Sequence, residues 1–387
     1  MLPSLLLFAA LLTPFALGDD YSFDADALEE IEPKSYEYKG YLRAEERLQD
    51  LNKESPLYIQ SGDDREYQNS LHLEALLEFA YFYESLTFKT SLMGSYDYIE
   101  NRTAEDEYPL NELYIQNSFN PNHALLLGKE SLKWGKGYFF NPIAFFDRPK
   151  DPVQPTLARE GFSIAKYSYN KSLQGKLRNL SFDLLYLKAD KNINTDYRLL
   201  TDNKNSHNIG ARLYLLWFDT DIDIIYDYSD VSKDKVGIDF SKNIQTNFEI
   251  HGEYAKELDG HFSYLLGLRY LSNFELTLIS EYLYNSQGLD KAEIEALPAT
   301  PPLAAKDYMI TLFTQKEPLE ILYLSVYYKN ILNLQDKSRQ DRLGFTYSFK
   351  NDIELDLSYN INSGGEKSEF GKKIVEDFIW LRGTWLF

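Results

Sequence analysis

Between residues 71 and 98 the chain carries two runs in which side chains alternate between apolar and polar. Leu71, Leu73, Ala75, Leu77, Phe79, Tyr81 and Tyr83 interleave with His72, Glu74, Leu76, Glu78 and Ala80. Past a turn near Glu84 and Ser85, Leu86, Phe88, Leu92, Tyr96 and Tyr98 interleave with Thr87, Lys89, Ser91 and Asp97. Successive side chains of a strand point to opposite faces, so each run reads as a strand with one apolar face. Both are about twice as long as the ~5–6 residues usual in soluble sheets. They meet the ~9–11 residues that a strand needs to cross a bilayer at a tilt.

The rhythm continues to the end of the chain. It predicts further strands at 35–44, 109–119, 122–130, 161–170, 177–189, 206–218, 220–229, 235–241, 245–256, 261–271, 273–284, 306–316, 318–330, 338–349, 351–362 and 374–387. The connections alternate in length. Asn120-Pro121-Asn122, Phe218-Asp219-Thr220, Ser272-Asn273 and Lys350-Asn351-Asp352 are tight turns, whereas 99–108, 190–205, 285–305 and 363–373 are longer polar links. Short turns at one end and long loops at the other are the cadence of a transmembrane barrel, whose strand number is even when both termini share a side. The expectation is an all-β, antiparallel transmembrane barrel of about 18 strands, with 16 as the nearest alternative. No Pro/Gly/Ser linker divides the chain, and no repeat longer than the hairpin appears.

Composition agrees with that reading. The 31 Tyr and 24 Phe are enough for aromatic girdles at both membrane interfaces. A mean hydropathy of −0.43 does not suit a helical membrane protein. The net charge of −20 leaves no basic stripe for nucleic acid, and the absence of Cys suits an exported chain. Residues 2–17 form an apolar run, followed by Ala16-Leu17-Gly18 as a small-residue cleavage site. That pattern predicts a signal peptide over 1–18, a periplasmic tail over 19–34 and a barrel over 35–387. No Lys or Arg precedes the run; either the α-amino group supplies the positive end or the start lies upstream.

At the C-terminus Ile379, Leu381, Trp385 and Phe387 share one strand face, with Arg382 and Thr384 on the other. This ending resembles the closing strand of Gram-negative outer-membrane barrels, although Gly383 stands on the outward row. The resemblance implies an outer-membrane location reached through the periplasm, and recognition of this end by the barrel-assembly machinery. It also implies contact with outer-membrane lipid and lipopolysaccharide, and a homotrimer as one assembly open to such a chain.

Opposite the apolar rows stand Lys89, Arg212, Arg269, Arg342 and Arg382, with Glu74, Glu78, Asp183, Asp223, Asp227, Glu249, Glu253, Glu275, Glu354 and Asp356. Charges at mid-membrane must face water or one another, so these rows should line a polar lumen. Gly210, Gly267 and Gly344 lie on the same rows and should leave room for Arg212, Arg269 and Arg342.

The longest link, 128–161, contains Pro142, Pro149, Pro152 and Pro155, which forbid a continuous strand or helix. Its Trp134, Tyr138, Phe139, Phe140, Phe145 and Phe146 are too many for a freely solvated loop. Six basic residues, Lys129, Lys133, Lys136, Arg148, Lys150 and Arg159, face four acids, Glu130, Asp147, Asp151 and Glu160, so the link is basic within an acidic chain. By count it is the third outer loop, and in general porins that loop folds inward and narrows the pore. Gly128-Lys129, Trp134-Gly135-x-Gly137, Asn141-Pro142 and Arg159-Glu160-Gly161 also resemble a segment of porin-like and alginate-export-like outer-membrane proteins. The basic residues of this link, Trp134, and the wall residues Arg212, Arg269, Arg342 and Arg382 are the candidate constriction.

Enzyme signatures are missing. None of the five His stands in zinc-ligand spacing, and no G-x-S-x-G or phosphate-binding Gly-rich string occurs. His251, between Glu249 and Glu253, is the nearest approach to a catalytic group. The expectation is a channel, not an enzyme, without cofactor or metal, passing small hydrophilic solutes, anionic ones among them. The rivals are a barrel that exports or anchors an acidic polysaccharide and, less favoured, a barrel enzyme.

Overall fold

The computed structural model describes residues 35–62, 64–189 and 205–387. The expected signal peptide and tail lie outside the described residues, as does most of the 190–205 link. The strands are β1 (Tyr36–Leu51), β2 (Tyr67–Tyr83), β3 (Leu86–Ile99), β4 (Glu105–Glu107), β5 (Leu110–Asn120), β6 (His123–Glu130), β7 (Phe162–Ser172), β8 (Leu177–Ala189), β9 (Ser206–Trp217), β10 (Thr220–Ser229), β11 (Lys235–Gln245), β12 (Phe248–Glu257), β13 (Phe262–Leu271), β14 (Leu276–Asn285), β15 (Asp307–Lys316), β16 (Leu324–Asn333), β17 (Arg339–Ser348), β18 (Ile353–Ser363) and β19 (Val375–Leu386).

Neighbours in sequence pair antiparallel, and β1 pairs with β19, placing Leu42 opposite Trp385 and Leu48 opposite Ile379. The three-residue β4 is an extension laid on the loop end of β3, so eighteen strands close the wall. Closure leaves no open edge, the condition for a sheet whose outside offers its backbone no water. The closure is tight at the C-terminus. Gly40 and Phe387 exchange backbone hydrogen bonds of 2.8 and 3.1 Å, and a side chain on Gly40 would meet the Phe387 ring.

The exposed rows form three zones. Leu92, Ile115, Leu127, Leu184, Ile224, Leu266, Leu343 and Leu357 make an aliphatic middle band. Tyr83, Trp217, Tyr270 and Trp385 crowd the tight-turn end, and Tyr98, Tyr186, Tyr228 and Tyr254 the loop end. Such a band between aromatic girdles is the outside of a barrel built for a bilayer. Leu184, mid-strand on β8, tests it. Leu184→Arg is expected to destabilise the barrel in lipid by about 2–4 kcal/mol, read as a lower urea midpoint in vesicles. An unchanged midpoint would mean that this face does not meet lipid.

The tight turns form as expected. Phe218 and Asp219 both take positive φ (51° and 56°), as the twist-matched two-residue hairpin requires. Several expected strands change; β11, expected to end at residue 241, runs on to Gln245, and β2 begins at Tyr67, ahead of Leu71. β1 runs on to Leu51, where the pattern predicted its end at residue 44; Glu46 on the outward row hides the alternation. The strand expected at 318–330 begins at Leu324, because Pro318–Glu320 forms a 3₁₀ turn, with positive φ at Glu317, Leu319, Glu320 and Tyr323.

Candidate pore constriction

Residues 131–161 connect β6 to β7 and form the third long link in chain order, after 52–66 and 100–109. Lacking a ladder, the segment buries its aromatic side chains against inner-row residues. Trp134, Ile143, Phe145 and Phe146 pack with Leu126, Phe162, Ile164, Leu185, Leu187, Ile225 and Ala255. Phe139 and Phe140 join Leu265, Tyr308, Ile310 and Ile331, together with Ile294 and Phe370 from two other long links. The wall is shaped for these rings. A side chain on Gly210 would meet Phe146 at 2.5 Å, and one on Gly237 would meet Ile143 and Phe145 at 3.0–3.2 Å. This corrects an expectation: the space at Gly210, Gly267 and Gly344 is taken by Phe146, His251 and Tyr327, not by arginines.

The segment's polar contacts reach widely separated strands. Its backbone donates to Glu253 on β12 and Glu281 on β14. The carbonyls of Pro152 and Val153 accept from the buried Lys329 of β16 (3.1 and 2.6 Å), and Gln154 accepts from Arg382 of β19 (2.6 Å).

The candidate cations fall into three groups. Lys129, Arg148 and Arg159 gather at the base of the segment beside a cavity of about 890 Å³. Lys129 and Arg148 pair with Glu160, and Arg159 with Asp147 at 3.0 Å. Lys150 donates to the Gly137 carbonyl, and burial pulls its ammonium below the ordinary lysine range. On the β9–β10 wall, Arg212 lies 2.8 Å from Asp223 and over the Trp134 ring, and Lys136 pairs with Asp223 at 3.0 Å. On the far side Arg342 and Arg382 stand 4.2 and 4.5 Å from the centre of the buried Trp380 ring. Lys133 and Arg269 are exposed.

Periodicity missed Arg43, Arg47, Glu45 and Trp380 as members of the site. Arg47 lies 4.3 Å from the Trp380 ring centre, completing three guanidiniums around one indole. Glu45 pairs with both Arg47 (3.1 Å) and Arg382 (2.8 Å), and Arg43 pairs with Glu74 (3.1 Å). The missed signal lay in β1, where Arg43, Glu45 and Arg47 keep period two past residue 44.

Charge is therefore unevenly spread around the wall. From β16 through β19 to β2, Lys329, Arg342, Arg382, Arg43 and Arg47 balance Glu45, Glu74, Glu78, Glu354 and Asp356, five to five. From β8 to β14 carboxylates prevail: Asp183, Asp223, Asp227, Asp239, Glu249, Glu253 and Glu281 stand with three wall cations, Arg212, Lys235 and Arg269. His251 is fully buried on β12, with Nε2 3.0 Å from Glu281. A substrate has no access to it there.

No family model matches the sequence, and no curated protein matches it. Solved structures do. The chain is similar to Pseudomonas aeruginosa OpdQ, at 11% identity over 92% of this chain and 99% of that one, with a TM-score of 0.56. A BenF-like porin from Pseudomonas fluorescens Pf-5 matches at 9% identity over 92% and 99%, with a TM-score of 0.58. Pseudomonas aeruginosa OccK9 (OpdG) matches at 10% over 91% and 98%, with a TM-score of 0.56. At such identities the likeness is one of fold, and the fold is that of a porin.

Proposed function

We propose that the protein is an outer-membrane channel for passive diffusion of small hydrophilic solutes, narrowed by residues 131–161 lying within the lumen. The observation that carries this reading is the attachment of that segment to inner-row side chains on β12 and β14 at one place and on β16 and β19 at another. A loop draped outside the wall would not reach them. Porin-fold neighbours and an apolar exterior between aromatic girdles support the membrane location.

The solute path runs beside β17–β19 and β1–β2, where the Arg43, Arg47 and Arg382 side chains keep 16%, 32% and 18% of their surface open. Guanidiniums there, with carboxylates in excess across the lumen, set a transverse field that favours anions on the basic side. The C-terminal Ile379, Leu381, Trp385 and Phe387 serve closure and assembly.

Planar-bilayer recordings test the proposal. Stable ohmic steps are expected, with a reversal potential in a salt gradient that favours anions. Lys133 is exposed and has no ion pair among the described residues, whereas Lys136 and Arg148 are paired with Asp223 and Glu160. Neutralising Lys133, Lys136 and Arg148 together is expected to shift the preference toward cations, since the two paired residues would leave Asp223 and Glu160 uncompensated. Folded protein that never conducts overturns the channel. Binding of long polyanions without flux of neutral sugars would point to the polysaccharide barrel instead.

A further inference from the structure

The inward segment presents six backbone N–H groups that no strand pairs, and an unpaired buried N–H is costly. Two wall carboxylates collect them. Glu253 accepts from the N–H groups of Lys136 and Gly137, both at 2.7 Å, and from Ile143 at 3.3 Å. Glu281 accepts from Tyr138, from Phe139 at 3.0 Å and from Phe140 at 3.3 Å. Both residues are buried, at 3% and 0% exposure. Converging N–H dipoles offset the burial of a carboxylate, and such charge-assisted bonds are about twice as strong as neutral ones.

The surroundings are built for this arrangement. His251, Gly267 and Glu281 stand directly opposite one another on β12, β13 and β14. With no side chain on Gly267, the His251 imidazole crosses the middle strand to reach Glu281; a Cβ there would collide with its Nε2. Gly135 takes φ +108°, and its Cβ would lie 2.7 Å from Glu253 Oε1. The Trp134-Gly135-x-Gly137 string thus lets backbone approach a carboxylate.

We infer that Glu253 and Glu281 are positioning residues that set the channel's aperture by holding residues 136–143 against β12 and β14, with His251 aligning Glu281. This rests on the channel reading above, so the test has one readout that needs no conduction. In detergent, hydrogen exchange of peptides covering 135–146 is followed in the wild type and in E253Q/E281Q. A glutamine turns an N–H₂ toward backbone donors and keeps a single acceptor oxygen, so exchange there is expected to quicken at least about tenfold. Wall peptides of β5 and β18 should be unchanged. In bilayers the variant should give larger, noisier steps. H251Q keeps both carboxylates and serves should the double variant not fold; it should quicken exchange at 138–140 and spare 136–137. Unaltered exchange over 135–146 in a folded double variant overturns the inference. Faster exchange in a wild type that never conducts supports the hold and overturns the channel.

Discussion

Replacing Arg47 and Arg382 together by glutamine is expected to shift the ion preference of the proposed channel toward cations. Both guanidiniums share Glu45, which is 2% exposed and would be left as an uncompensated carboxylate beside the solute path. A unit charge about 7 Å from a passing ion, at an effective dielectric constant of about 40, contributes about 1.2 kcal/mol. Two such charges lost would change the anion-to-cation permeability ratio by more than about tenfold at low salt, and less above ~0.1 M as screening shortens. The measurement is the reversal potential across a salt gradient. The double lysine variant keeps the charge and should keep the preference. If the glutamine pair keeps it as well, selectivity is set elsewhere.

Phe146→Ala is expected to free part of the proposed constriction. The ring is 1% exposed, stands edge-on to Trp134 with centroids 5.8 Å apart, and occupies the space left by Gly210. Truncating a buried Phe costs about 3–5 kcal/mol in soluble cores. Here the loss falls on one segment and not on the ladder, so it appears as local opening. Single-channel conductance should rise severalfold with added flicker, while the folded barrel keeps its heat-resistant migration on gels. Conductance equal to wild type would show that the packing of this ring does not limit the aperture. Because Glu253 and Glu281 hold the neighbouring residues by hydrogen bonds, the two defects should add only partly.

The two expectations depend on the sequence to different degrees. Alternation at period two made the wall readable strand by strand, because a barrel repeats one local rule and lipid enforces it on every outward position. The count of eighteen and the tight turns followed from it. The reading failed where a charged residue broke the outward row. Glu46 made the second half of β1 resemble a loop, and so concealed Arg47 and Glu45. Pro318 posed the opposite problem, since the apolar residues after it kept a strand-like alternation through a turn.

How the charges of residues 128–161 are paired was not in the local pattern. Six basic residues in 128–161 marked the segment as unusual, yet most are spent within it, on Glu160, Asp147 and backbone carbonyls. Pairing is a property of distance in space, and these partners come from positions that no periodicity links. The same holds for the three arginines at Trp380, which arrive from β1, β17 and β19. Thus the sequence by itself determined the wall: which residues form strands, which face lipid, and that a proline-broken aromatic segment interrupts them. Only the tertiary structure decided that Glu253 and Glu281 take hold of that segment and that an arginine cluster around Trp380 faces a carboxylate-rich arc. Closing the sheet into a ring is what brings strands remote in sequence to face one another across the lumen.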